Sequence, residues 1–546
     1  MKQLIAGGLV LVLIAIGLLL WRRAENSVPS AQIVPAECLL YIEVPNVAAT
    51  VKRWGDTAIS QILEEPSVQH FFEKPISTTP ASWAEAWHAF TQLKCKAFFL
   101  GVTEPEGNRW ICGLQTSAAG ATSDRAIENL SKALFSSSCR QYRPDDLKRS
   151  DVTSGNNQMQ PACMKIGSWI LMSRSIELLR AAAANFRTRA RGLQSDSLFH
   201  ACLSNVPSHY DLLTFIQGTP SIDSSRGFHW RYPAPESPRE SRAVLAVTTI
   251  EGARLRDTVF TYTGGSPAAG RLDREALSLT DPSTIGYLAS RVGFSEIWRW
   301  CSRFSGQSAL AELIRNYLGE AKGFGIDPGE LDKLVSGAEI ILDRDASSDS
   351  VSAAASLQVV DPEKFQRLVD EIVSEKFADN ANKKEIAAIP AYSLRVNRNA
   401  SIVFGLVNRH FLVSGSDARF ADLVNRLRKH APGLENQNEF KEVENLVHGP
   451  EDLFLYCDTK AFFEWFYGVF RPMLALGIGL IPAVSKHVDP MALPETDEIA
   501  KHLTPVVLSR RHVSDGFIDE SVGPVTAYEA AAVMMAGAVA MGVPEH

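Results

Sequence analysis

The same series of sequence patterns occurs twice along the chain, and this repetition constrains the fold more than any single motif does. In the first copy, a hairpin pattern at 165–173 precedes a helical pattern over 176–186. In the second copy, a hairpin pattern at 406–414 precedes a helical pattern over 418–430. Both hairpin patterns place two turn-forming residues between apolar runs. The copies lie roughly 240 residues apart, which indicates an internal duplication.

The correspondence extends to both sides of these hairpins. Each copy opens on a segment interpreted as a strand that ends at a proline, Glu37–Pro45 in the first and Glu275–Pro282 in the second. A helical pattern follows, through Trp54 in the first copy and over Tyr287–Trp298 in the second. The other matched segments, first copy before second, are the strand-helix patterns 111–135 and 355–373, the β-rich segments 210–217 and 452–458, and the closing hairpins 244–263 and 505–520.

The order of these elements predicts the fold class. Strands come mainly in adjacent hairpins with helices between them, which is typical of antiparallel sheets covered by helices. We therefore expect an α+β fold of two tandem homologous modules, over 32–271 and 272–523. The first module includes a surface excursion at 218–241, where turn-forming residues are frequent. Two unrelated α+β domains with similar elements are the alternative, and the agreement in spacing favours duplication.

The N-terminal segment predicts a membrane anchor. Every residue from Leu4 to Trp21 is apolar or glycine, and a helix of that length, about 27 Å, matches the hydrocarbon thickness of a bilayer. The run ends in Trp21-Arg22-Arg23 without a small-residue cleavage site, which favours an uncleaved anchor over a cleaved secretory signal. We expect residues 1–31 to form a signal anchor, with a transmembrane helix at 4–21 and a short stalk. The lipid bilayer is therefore an expected partner.

The orientation of this anchor places the body of the protein outside the cytoplasm. Lys2 on one side nearly balances Arg22 and Arg23 on the other, so the flanking charges give no direction. A long domain that follows a very short N-terminus is translocated largely regardless of such charges. The expected location is the bacterial cytoplasmic membrane, with a single pass and a periplasmic or extracytoplasmic body.

Two shorter apolar stretches lie near the C-terminus, and neither is long enough to span a bilayer comfortably. Met473–Val484 predicts a buried or interfacial helix, with burial in a soluble core favoured. Trp465–Tyr467, at the start of a helix that is apolar at its other positions, are likewise expected in the core. The alanine-rich apolar tail at 524–546 indicates a helix over 530–543 that packs on the second module or on a partner.

No pattern in the sequence predicts an active site. There is no Gly-x-Ser-x-Gly nucleophile turn, no Ser-x-x-Lys pair and no His-Glu-x-x-His metal motif. The eight cysteines lack Cys-x-x-Cys spacing, which removes the usual support for zinc or dithiol chemistry. A net charge of −7 gives no reason to expect nucleic acid. Catalytic residues therefore stay unassigned, and no cofactor, metal site or nucleic-acid partner is predicted.

Three weaker candidates have structural interpretations. Cys38, Cys112 and Cys163 lie in apolar strand patterns and are expected to be small buried hydrophobic residues. The acidic cluster Asp343–Asp349 lacks the glycine and the closing glutamate of a calcium-binding loop, which favours a solvated hairpin loop. Alternate aromatic residues at 228–232 would share one face of an extended segment, and anchoring of the excursion is favoured over ligand binding.

Several of these segments together resemble a known family. An N-terminal anchor is followed by Cys38-Leu39-Leu40-Tyr41-Ile42-Glu43-Val44-Pro45, and later by Gly325-Ile326-Asp327-Pro328, which leads into 334–340. This arrangement resembles a family of membrane-anchored bacterial envelope proteins that is catalogued only as a domain of unknown function. The resemblance implies membrane anchorage and a duplicated α+β body, and it provides no catalytic residues.

The sequence therefore favours a membrane-tethered, non-enzymatic protein of the bacterial envelope that binds or organises another envelope component, a protein or a polymer. The first alternative is an envelope hydrolase whose site is assembled from residues distant in sequence, because missing motifs do not exclude such a site. The second is a structural subunit of a membrane complex, in which the tail at 524–546 docks on a partner helix.

Overall fold

A mixed α+β architecture fills the described part of this computed structural model. The described residues are 28–71, 93–104, 109–116, 121–135, 138–145, 161–188, 192–223, 227–231, 243–265, 272–291, 293, 328–345, 350–395, 401–429, 431–480, 492–526 and 529.

One large, mainly antiparallel sheet runs through these residues. It contains 19 of the described strands, and a separate two-stranded ladder, β8 with β9, lies in the predicted excursion. The strands are β1 (Leu40–Val44), β2 (Cys95–Val102), β3 (Trp110–Thr116), β4 (Arg140–Tyr142), β5 (Ala162–Ile166), β6 (Trp169–Ser173), β7 (Leu212–Gln217), β8 (Thr219–Asp223), β9 (Gly227–Arg231), β10 (Ala243–Glu251), β11 (Arg254–Tyr262), β12 (Thr284–Ser290), β13 (Val335–Asp345), β14 (Ser350–Val359), β15 (Ala381–Ile386), β16 (Ile389–Arg395), β17 (Ser401–Val407), β18 (His410–Ser414), β19 (Leu453–Cys457), β20 (Val506–Val513) and β21 (Gly516–Gly523).

The strand pairings form a single line whose centre is the pair β11–β21. From the centre outward, the first half of the chain contributes β11, β10, β7, β1, β2, β3, β6, β5 and β4. The second half contributes β21, β20, β19, β12, β13, β14, β18, β17, β16 and β15. Only β4 and β5 pair in parallel among the described strands. The predicted class, α+β with a mainly antiparallel sheet and helices, is confirmed, whereas the division into modules at 32–271 and 272–523 stays a prediction.

Helices cover both faces of the sheet. They are α1 (Ser30–Ile33), α2 (Val47–Trp54), α3 (Ala58–Glu64), α4 (Pro66–Phe71), α5 (Ala121–Phe135), α6 (Ile176–Thr188), α7 (Ser197–Leu203), α8 (Pro328–Leu334), α9 (Pro362–Lys376), α10 (Asp417–Lys429), α11 (Asn438–Glu444), α12 (Thr459–Leu480) and α13 (Thr496–Ala500), with 3₁₀ turns at Leu193–Ser195, Glu275–Leu279 and Leu434–Asn436. Local sequence explains several helix starts. Asp361, for example, accepts a hydrogen bond from the Lys364 N–H at 3.0 Å, and Pro362 occupies the first turn of α9.

Two large apolar cores lie on one face of the sheet. In the first half, α6 and α7 pack Leu179 and Phe199 against strand residues such as Phe215. In the second half, α10 and α11 pack Phe420 and Phe440 against the strands in the same way. The matched hairpins β5–β6 and β17–β18 precede α6 and α10, as the sequence predicts.

The opposite face carries two smaller cores. Successive strand residues point to opposite faces, so Ile111 joins the large core of its half whereas Cys112 packs under α5. In the second half, Phe365 of α9 packs against Val359 and Phe411. The sheet is therefore buried on both faces in each half.

The predicted start of the second copy is wrong in its details. Glu275–Leu279 forms a 3₁₀ turn rather than a strand, and Thr284–Ser290 forms strand β12 rather than the start of a helix. β12 pairs with both β13 and β19, and most of its residues are buried. A strand that is buried on both faces has a continuous apolar sequence, which periodicity alone does not separate from a helix.

The N-terminal end of the described chain packs into the first large core. Val28, Ile33 and Val34 are buried there, and the Trp169 indole N–H donates to the Val28 carbonyl oxygen at 3.2 Å. The predicted transmembrane helix at 4–21 lies outside the described residues. Among the helices that are described, none has both the length and the apolar composition to cross a membrane.

Candidate functional site

The described residues include one serine–histidine–carboxylate line that bears on the hydrolase alternative. Ser356 Oγ lies 3.1 Å from His410 Nδ1, and His410 Nε2 lies 2.9 Å from Glu275 Oε2. Ser356 is fully buried, whereas the Glu275 side chain is 58% exposed. A nucleophile must be accessible to its substrate, and its orienting carboxylate is normally the buried member. These hydrogen bonds join the 3₁₀ turn Glu275–Leu279 to the sheet, and the buried Ser356 hydroxyl is not accessible to a substrate.

A second buried polar group belongs to the core of the second half. Glu339 accepts hydrogen bonds from the Tyr287 hydroxyl, from the Ala276 N–H at 3.2 Å and from Gln358 Nε2 at 3.3 Å. Burial raises the pKa of Glu339 to about 7, although these hydrogen bonds act in the opposite direction. The carboxyl is enclosed by protein, so it stabilises packing and has no access to a ligand.

A cleft of about 400 Å³ lies beside α2 in the first half. Its buried acid, Asp211, accepts hydrogen bonds from Arg53 Nε at 3.0 Å, from Thr50 Oγ1 at 2.9 Å and from the Ile250 N–H at 2.9 Å. Burial alone would raise the pKa of Asp211, but these hydrogen bonds outweigh it, and the pKa falls below its usual value. The main charged groups of the cleft are therefore already partners of one another.

The thiols divide into one reactive group and several inert ones. The predicted burial of Cys38, Cys112 and Cys163 is confirmed. Burial raises the pKa of Cys38 and of Cys112 to about 12. Cys139 is only half-buried, and a hydrogen bond with Cys163 lowers its pKa to about 7. In the described part of the chain, no group of three or more His, Cys, Asp or Glu residues is arranged to hold a metal ion.

The most unusual surface is one face of helix α12, which we call the outer face. It consists of Phe466, Val469, Met473 and Leu474, which are 40%, 47%, 63% and 37% exposed. Val469, Met473 and Leu474 follow Phe466 by three, seven and eight residues, which places the four along one side of the helix. Phe466 also packs against its neighbours Phe462 and Phe470, at ring-centroid distances of 6.1 and 4.7 Å. A continuous apolar stripe thus faces away from the protein.

Three polar residues of α12, Glu464, Tyr467 and Arg471, bond to the body instead. Glu464 pairs with Arg344 at 3.0 Å. Arg471 donates to both carboxylate oxygens of Glu495 at 2.7 Å, and the buried Tyr467 hydroxyl donates to a backbone carbonyl oxygen at 2.8 Å. Polar residues of a surface helix in water normally point outward. Lys460 at the start of α12 is exposed, but over 464–474 the polar side chains bond to the body and the large exposed side chains are apolar, the reverse of the order expected for a helix that faces water.

These positions correct the sequence prediction for this segment. Met473 and Phe466 are exposed, although a place in the core was favoured for both, whereas Tyr467 is buried as expected. The signal that identifies the inner face is the spacing of Glu464, Tyr467 and Arg471, which repeat every three or four residues. The other predicted candidates are partly outside the described residues, among them Tyr232 and the loop 346–349. Asp343 of the acidic cluster is buried and paired with Arg419 rather than solvated.

Comparisons with known proteins identify no family and only distant structural similarity. No family model and no curated protein matches the sequence. The structure is distantly similar to crystal structures of TP0453. Crystal form I of TP0453 is 13% identical, with a TM-score of 0.25, over 45% of this chain and 77% of that chain. Form III is 10% identical, with a TM-score of 0.25, over 49% of this chain and 98% of that one. These scores are too low to transfer a function, and the resemblance to an envelope family stays a prediction.

Proposed function

We propose that this protein is a membrane-tethered binding protein of the bacterial envelope, which holds or organises another envelope component without catalysing a reaction. The observation that carries the proposal is the outer face of α12. Burial of a large apolar side chain is worth about 1.5–3 kcal/mol, and these four side chains keep 37–63% of their surface in water. Contiguous exposed apolar surface of this kind marks interaction sites.

The tether and the duplicated body are further parts of the proposal. The apolar run at 4–21 supports attachment to the cytoplasmic membrane, with the body outside the cytoplasm. Duplication is supported by the strand order on the two sides of β11–β21, which matches over the eight strands from β11 to β5 and from β21 to β17. At this central pair, Thr258 lies opposite Glu520, and each lies five residues after the last residue of the two-residue turn in its own hairpin. The equivalent strands β11 and β21 thus pair with each other symmetrically about Thr258 and Glu520, as equivalent strands do in the isologous interface of a symmetric dimer.

A photo-crosslinking experiment tests the binding role. In intact cells, Met473→p-benzoylphenylalanine places a reactive ketone on the outer face, and Val360→p-benzoylphenylalanine is the matched control, since Val360 is 50% exposed and lies outside α12. We expect the Met473 variant to give several times more adduct than the control, in the membrane fraction. Equal yields from the two positions would contradict the proposal, because the outer face would then have no partner.

A further inference from the structure

We infer that the partner of the outer face is the acyl region of a lipid bilayer, and that α12 lies in the membrane surface with Phe466, Val469, Met473 and Leu474 inserted. This inference rests on the proposed function and names the partner of the same surface. Two properties of α12 and one of the N-terminal sequence support a lipid rather than a protein partner.

The first property is the reversed polarity of α12. Both ends of its inner face are fixed to the body by ion pairs, Glu464 with Arg344 and Arg471 with Glu495. Rotation of the helix about its axis would break both pairs, of which Glu464–Arg344 is the more buried. Polar groups that face protein and apolar groups that face outward are the arrangement that a hydrocarbon environment selects.

The second property is the chemistry of the outer face. Phenylalanine, valine and leucine side chains have no hydrogen-bonding atom, and the methionine sulfur is only a weak acceptor. Protein interfaces carry about one hydrogen bond per 100–200 Å² and combine apolar with polar contacts. The acyl region of a bilayer offers no hydrogen bonds and requires none, so it fits this stripe better.

The third property is the short linker between the proposed membrane span and the body. Val28 is buried in the first large core, so the described body begins at this residue. If residues 4–21 span the bilayer as proposed, only residues 22–27 separate the membrane from the body, and six residues extend to about 20 Å at most. The body is then held within about 20 Å of the lipid, so a helix on its surface is close enough to contact the membrane.

The geometry indicates that α12 lies on the membrane rather than across it. The outer face from Phe466 to Leu474 is about 12 Å long at a rise of about 1.5 Å per residue, much shorter than the hydrocarbon core of about 30 Å. Interfacial helices bury their apolar face about 5–10 Å into the boundary between headgroups and acyl chains. That depth accommodates the four side chains and leaves the paired charges of the inner face on the protein side.

The test identifies what the outer face touches. The full-length Met473→p-benzoylphenylalanine variant is irradiated in cells, and again after purification and reconstitution in vesicles of phosphatidylethanolamine and phosphatidylglycerol. We expect the crosslinked peptide to carry the mass of a phospholipid in both preparations. Adding Phe466→Asp and Leu474→Asp should reduce the lipid adduct at least tenfold, and an unchanged urea midpoint would show that the exposed substitutions leave the body folded.

The remaining outcomes separate the inference from the proposed function. A discrete protein adduct in cells, without a lipid adduct in vesicles, overturns the lipid partner but leaves the binding role in place. No adduct above the Val360 control in either preparation overturns both. A lipid adduct that the two aspartate substitutions leave unchanged also overturns the inference, because contact would then not depend on the outer face.

Discussion

The buried carboxyl of Glu339 gives the sharpest quantitative prediction. Burial raises its pKa from 4.5 to about 7, so the folded protein holds a proton that the unfolded chain releases between these pH values. The stabilisation associated with the protonated carboxyl is present below pH 4.5 and is lost as the pH rises through 7. At 1.36 kcal/mol per pH unit, the parent loses about 3 kcal/mol of unfolding free energy across this range.

The substitution Glu339→Gln removes this titration while keeping most of the contacts. The amide oxygen can accept from the Ala276 N–H and from Gln358, as Glu339 Oε1 does. The amide nitrogen then faces the Tyr287 hydroxyl, and the altered hydrogen bond costs about 1 kcal/mol. We expect the variant to be more stable than the parent by about 2 kcal/mol above pH 7.5, and slightly less stable below pH 5.

Urea unfolding of the full-length chain in detergent, followed by tryptophan fluorescence from pH 5 to 8.5, measures this difference. Tyr287→Phe is the second variant, because removal of a hydrogen bond that lowers the Glu339 pKa should extend the loss of stability to higher pH. A stability difference between the parent and Glu339→Gln that stays constant across the whole pH range would refute the reasoning, since it would show that Glu339 does not titrate there.

Two further predictions concern thiol chemistry and backbone packing. At pH 7.5, maleimide should label Cys139 before any other described cysteine, because its pKa is about 7; peptide mass spectrometry measures the order, and Cys163→Ser should slow the reaction. Gly192→Ala and Gly433→Ala should each destabilise the fold by about 1–3 kcal/mol, because an added Cβ would lie 2.1 and 2.2 Å from a backbone carbonyl oxygen. Gly415→Ala, with nothing within 4 Å, is the control for urea unfolding, and equal effects at the three positions would contradict the packing argument.

Local patterns in the sequence predict most of the elements but not how they combine. The hairpins β5–β6 and β17–β18 are predictable because Gly167 and Asn408 both adopt the left-handed conformation that a tight turn requires. The segment 275–290 was misassigned because short apolar runs fit a buried strand and a helix equally well. The central pairing of β11 with β21 is also inaccessible from sequence, since an alternating pattern indicates which face is buried and not which strand is the neighbour.

The exposure of the outer face of α12 is not predictable from the sequence for a different reason. Its sequence is so apolar that the composition of the stretch favours burial, and the three inner-face residues Glu464, Tyr467 and Arg471 are few enough to be missed. Their common face is visible in the spacing, but their partners come from distant segments, Arg344 on β13 and Glu495 before α13. Only the folded chain shows that these partners lie beneath the helix and therefore that the apolar side points outward.

The continuous sheet makes the attachment of α12 effective as a contact surface. β11 and β21 pair along eight residues, from Leu255 with Gly523 to Tyr262 with Gly516. A hinge between the halves of the sheet would have to break the hydrogen bonds of this ladder. Where the strands are buried, no water is available to replace those hydrogen bonds. The helix α12 contacts the sheet beside β12, so the ladder holds the outer face at a fixed orientation to the N-terminal core. If the proposed tether at 4–21 holds this rigid body at the membrane, the stripe keeps one orientation to the lipid, and two aspartates on it should weaken lipid contact even with the tether present.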